Sequence, residues 1–130
     1  MVKWILPMLC AAGVMHALGG LWHGGVMQAF YQSFSTNPNA PVQWIIFLGY
    51  LILAALMAYL SPRLVRDGGH PLMNGLKLGL LLGFLWVTPH GVALAGAKGS
   101  PLSFFAVDSA WHLVEQGIGG VVLMVVRSRL

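Results

Sequence analysis

Pro101–Val126 reads PLSFFAVDSAWHLVEQGIGGVVLMVV, an apolar run interrupted by Asp108, His112 and Glu115. At 3.6 residues per turn these three are spaced i, i+4, i+7 and project from a narrow sector of one face. A helix of this length crosses about 30 Å of hydrocarbon. A carboxylate near the middle of such a span costs about 3 kcal/mol on insertion scales, so other parts of the chain must compensate it. The third acidic residue, Asp67, falls in a polar connector. An all-α bundle that wraps this face is the fold to expect.

Three further apolar segments lie upstream, giving spans at about 4–30, 42–60, 71–97 and 101–126. Helices satisfy their own backbone, as lipid demands. The connectors carry turn chemistry: Ser33 to Pro41, Ser61-Pro62 through Gly68-Gly69, and Lys98-Gly99-Ser100-Pro101. Ser100 as N-cap with Pro101 at the first helical position starts the fourth helix. The expectation is one transmembrane domain over residues 1–130, a four-helix transmembrane bundle.

Composition agrees. The chain is 58% hydrophobic and 8% charged, against about a quarter charged in a soluble domain. Mean hydropathy is +0.79. The net charge of +4 comes from basic residues scattered at helix ends, which argues against a nucleic-acid partner and for the lipid bilayer. Cys10 is the single cysteine, so an internal disulfide and a cysteine-rich metal site are excluded. The apolar run after Lys3 outlasts a signal peptide and is expected to be a retained span. In a four-span arrangement Lys3, Arg63, Arg66, Lys77, Arg127 and Arg129 fall on one side and Lys98 on the other. That bias puts both termini in the cytoplasm.

The first span carries His16 and His23, seven residues apart on one face, and a Gly20/Gly24 pair. The second reads as scaffold, with Tyr50 and Tyr59 as its polar tips. The third has Gly75, Gly79 and Gly83 at the spacing that lets membrane helices approach closely, then Trp86 and His90. Pro89 should kink it. Counted from the expected ends, His16 and Glu115 fall near the midplane, His112 slightly outside it, and His23, His90 and Asp108 in the outer half. The six are candidate metal ligands or members of a self-satisfying polar core. A transition-metal ion comes first, and a single haem is allowed. A proton relay is disfavoured because the inner half lacks ionisable groups. An enzyme is weakly supported, since no nucleophile motif or phosphate loop accompanies the cluster. Trp22-His23 and Trp111-His112 are read as a chance repetition, Trp4 and Trp44 as interface anchors, and His70 as solvated.

Three stretches carry a family likeness. GGLWHGGVMQAF (Gly19–Phe30) resembles the Gly-x-Leu-Trp-Tyr-x-Pro-Leu-Phe-Gly segment of small uncharacterised bacterial four-helix membrane proteins grouped as a domain of unknown function. GLKLGLLLGFLWVTPHGVAL (Gly75–Leu94) is similar to their glycine-rich third helix. Pro101–Val126 is similar to their fourth, which runs Phe-x-Ile-Asp-x-x-Tyr-His-Leu-Val. The resemblance implies four helices, an Asp108–His112 pairing and a multi-pass place in a bacterial inner membrane, and no activity. His23 stands where the family motif has tyrosine and no proline follows it, so His23 and Glu115 are the residues most particular to this chain. Two functions are then expected: a non-enzymatic membrane protein holding a metal ion or small ligand, or an accessory subunit of a larger complex. Glycine-rich faces also suit a homo-oligomer.

Overall fold

The computed structural model describes residues 2–34, 41–65, 68–99 and 101–130. Among these every regular element is helical: α1 (Val2–Leu21), a π-helical turn (Trp22–Val26), α2 (Gln28–Phe34), α3 (Gln43–Leu64), α4 (Pro71–Lys98) and α5 (Leu102–Arg127). Four stretches are long and apolar enough to span a membrane: Lys3–Val26, Gln43–Leu64, Pro71–Ala97 and Leu102–Arg127. The four expected spans are present, and the first differs in kind. Its helix is not continuous to Phe30. Met27 N–H donates to Trp22 O at 2.8 Å, an i→i+5 bond that inserts an extra residue into the turn. Gly24 and Gly25, poor helix formers, lie inside it.

The termini of the helices follow ordinary chemistry. Pro71 is the first residue of α4, where its missing N–H is no loss. Gly99 ends α4 at φ +62°, donating its N–H back to Ala95 and Gly96, a conformation glycine adopts without steric cost. Pro101 stands just before α5 in an extended conformation rather than opening the helix; the expected Ser100 cap lies outside the described residues. Pro89 lies inside α4, which continues past it to Lys98.

α5 packs most extensively on α4, then on α1; α1 packs in turn on α3. The expected glycine ladder makes the α4–α5 contact. A Cβ at Gly75 would run into the Gly120 carbonyl and Val121, and one at Gly79 into the Gln116 carbonyl and Gly117. Small residues here let backbones touch, where dispersion rather than water expulsion drives association. The apolar core consists of Ala11, Ala12 and Met15 from α1, Leu53, Ala54, Met57 and Ala58 from α3, Leu78 and Leu82 from α4, and Leu123 from α5. It sits in the half of the bundle nearer the chain ends. There the Arg127 guanidinium stacks 3.6 Å above the Trp4 ring, so the start of α1 and the end of α5 share one end. Large apolar side chains such as Ile5, Ile52, Leu85 and Val114 point outward, as lipid-facing residues do.

Candidate functional site

Three helical elements meet at Asp108. Its Oδ1 lies 3.4 Å from His23 Nε2 on the π turn and accepts a hydrogen bond from Tyr31 Oη on α2 at 3.0 Å. Its Oδ2 lies 3.8 Å from His112 Nε2, one turn along α5. One ligand atom from each of His23, Asp108 and His112 lies within 4.8 Å of the others. The three side chains are partly open, at 34%, 28% and 23% exposure.

The outer nitrogens of both imidazoles are held. His23 Nδ1 lies 2.9 Å from the Gly19 carbonyl. A carbonyl only accepts, so Nδ1 carries the proton and Nε2 is left towards Asp108. His112 Nδ1 lies 3.0 Å from Glu115 Oε2, and the carboxylate accepts its N–H in the same way. Glu115 is wholly buried, and Tyr50 Oη donates to its other oxygen at 2.8 Å. Gly19 makes room for this pair: a Cβ there would meet Tyr50 Oη and Glu115 Oε1.

An aromatic layer surrounds the polar atoms. Trp22 Nε1 donates to Tyr31 Oη at 3.1 Å, and the Trp22 and Trp111 indoles stack at 4.3 Å with 5° between planes. The next residues, His23 and His112, have ring centroids 5.8 Å apart. The two Trp-His dipeptides, expected as a chance repetition, face each other across the seam. Each helix presents the same tryptophan-then-histidine step to the shared seam. Burial and the nearby carboxylate charges push the Tyr31 phenol up to about 12.

Of the six expected residues, the structure brings four together: His23, Asp108 and His112, with Glu115 behind His112. His16 lies apart. Its Nδ1 is buried with no hydrogen-bond partner among the described residues, and its ring meets Phe47 and Tyr50 edge-on at 5.6 and 6.0 Å. His90 is exposed on α4. Its depth matches that of His23, but depth along a helix does not fix the direction a side chain faces. Tyr31 and Tyr50 carry no signal of the site in the sequence. Tyr50 reads there as a scaffold tip, although a tyrosine in the middle of a span needs a partner for its hydroxyl.

The model of the family described as a protein of unknown function, DUF1761, matches residues 6–124. The chain belongs to this family. The DUF1761 match covers α1 through most of α5 and so takes in every residue of the site. Neither the curated proteins nor the solved structures yield a match.

Proposed function

We propose that this DUF1761 member binds a transition-metal ion through His23 Nε2, His112 Nε2 and Asp108. The observation that carries this reading is the paired tethering of the two imidazoles: Gly19 O and Glu115 Oε2 hold the Nδ1 atoms, so both Nε2 atoms are turned towards one carboxylate. Histidine ligands of metals nearly always donate their other N–H to a carbonyl or carboxylate, which fixes tautomer and orientation. A tetrahedral ion with bonds near 2.0–2.1 Å separates its ligand atoms by about 3.3 Å. His23 Nε2 lies 3.4 Å from Asp108 Oδ1 and His112 Nε2 lies 3.8 Å from Asp108 Oδ2; the three ligand atoms lie within 4.8 Å of one another, so an ion would draw them together. Two histidines and one carboxylate with an open position suit zinc or ferrous iron. The two imidazoles flank one carboxylate, with all three ligand atoms within 4.8 Å of one another, which leaves no room for a haem between them and favours a bare ion.

Within this reading the chain is one domain of a bacterial inner membrane with both termini cytoplasmic, by the lysine and arginine bias. The metal then lies in the outer half. The role is binding rather than catalysis. A second reading, an accessory subunit in which the cluster only locks helix register, is favoured by one observation: both carboxylates already accept hydrogen bonds within the protein, Asp108 from Tyr31 and Glu115 from Tyr50 and His112.

Elemental analysis of protein purified without chelator separates the two. Binding predicts about one ion per chain, removed by His112→Ala, and a cobalt-substituted form with visible d–d bands. Absence of metal, together with a His112→Ala protein that folds normally, would sink the metal reading.

A further inference from the structure

Tyr31 stands among the ligand atoms, whereas Tyr50 stands behind them. The Tyr50 hydroxyl reaches the site only through Glu115, which holds the outer nitrogen of His112. Tyr31 Oη donates directly to Asp108 Oδ1 at 3.0 Å, the same oxygen that lies 3.4 Å from His23 Nε2. Neighbouring ligand atoms of one four-coordinate ion are about 3.3 Å apart. Both neighbours of Oδ1 are thus at the spacing of adjacent ligands. The Tyr31 ring is fixed there, 4.3 Å from the His23 ring and 5.7 Å from that of Phe104.

The other bond at Oη bears on what the phenol can become. An indole N–H only donates, and Trp22 Nε1 donates to Oη at 3.1 Å. When Oη gives up its own proton this bond stays, and it strengthens because its acceptor is then charged. Charge selects the ion. Asp108, Glu115 and a Tyr31 phenolate carry three negative charges between them, and Glu115 is wholly buried. A divalent ion would leave one of these charges unpaired, at a cost in a site away from water, and a trivalent ion leaves none. Imidazole, carboxylate and phenolate are all ligands that iron accepts.

We infer that Tyr31 Oη is the fourth protein ligand and that the ion held is ferric iron. On binding, the Tyr31 O–H bond breaks, its proton leaves to solvent past the partly open Asp108, and an oxygen–iron bond takes its place. The iron enters as the ferric ion, so no electron moves. The inference rests on the metal reading above and names the group that fills its open position.

The test loads the full chain in detergent with ferric nitrilotriacetate and, separately, with zinc, and removes unbound metal before measurement. A phenolate on ferric iron absorbs visible light by charge transfer from the ring, which imidazole and carboxylate ligands do not supply. The chain has three tyrosines. The band is expected in the unaltered chain and in Tyr59→Phe, and absent in Tyr31→Phe. That last variant should hold ferric iron at least about tenfold more weakly and still bind zinc. Should Tyr31→Phe fold poorly, Trp22→Phe serves instead: losing the N–H donated to Oη should move the band to longer wavelength, and an unmoved band would overturn the inference. Iron bound without a visible band, or a band that survives Tyr31→Phe, would also overturn it and leave the metal reading intact. Zinc binding without ferric binding would do the same. Failure to bind either metal removes the metal reading and this inference together.

Discussion

Glu115 is wholly buried near the middle of α5, where an unpaired carboxylate would be costly. Its two oxygens are taken by Tyr50 and His112. Glu115→Gln keeps size and loses the charge that orients His112. Removing such a second-layer partner of a metal ligand typically costs 10–100-fold in affinity, so competition titration of the Glu115→Gln variant should show a loss of about that size with helicity retained. Tyr31 supplies a pH test on the metal-free protein, since a cation on Asp108 would cancel the carboxylate charge beside the phenol. Its phenol is raised to about 12 from an ordinary value of 10, so the folded protein holds this proton where the unfolded chain releases it. The stability this contributes is complete below pH 10 and fades as pH rises to about 12. Absorbance at 295 nm should show one tyrosine titrating near 12, and that step should vanish in Tyr31→Phe. Asp108, His112 and Glu115 were legible as a set because strict helical spacing predicts a common face. Their tyrosine partners were not, because a phenol has no periodic signature and its partner lies on another helix.

At the level of elements, α4 and α5 meet backbone to backbone. A Cβ at Gly79 would strike the Gln116 carbonyl, whereas one at Gly13 or Gly20 meets none of the described residues within 4 Å. Gly79→Leu should therefore separate the two helices at a cost of about 3 kcal/mol, lowering the thermal midpoint in detergent. Gly13→Leu should leave the monomer within about 0.5 kcal/mol. A scan in which only the second substitution destabilised would contradict the packing. The α4–α5 contact was readable from the four-residue glycine spacing. The π turn was not: Gly24-Gly25 marks a weak point in a helix, but nothing in the pattern says whether the chain bends, ends or inserts a residue there. That single insertion lies between the direction of α1 and that of α2, which carries Tyr31 to Asp108.

For the whole molecule, Arg127 over Trp4 places the start of α1 and the end of α5 at one end of the bundle, as an even number of spans requires. If the basic residues set orientation, fluorescent-protein fusions at either terminus should fluoresce in the cytoplasm, and a periplasm-dependent reporter inserted after Lys98 should be active. The opposite pattern would reverse the site to the inner half. Hydropathy and basic residues were enough to expect four spans and shared ends. Which helix neighbours which was not readable, and this is why depth alone groups His90 with residues it does not meet.

The order of the helices along the chain bears on how the protein is made. α5 carries Asp108, His112 and Glu115, and it is synthesised after α1, the π turn, α2 and α3, the stretch that holds His23, Tyr31 and Tyr50. When the most polar span leaves the ribosome, the groups that will receive its carboxylates have already been made. The helix least suited to lipid is thus the last to arrive, and its insertion and its docking can be one event. Moving α5 ahead of α1 by circular permutation would leave every contact possible in the finished bundle and yet take away that waiting seam.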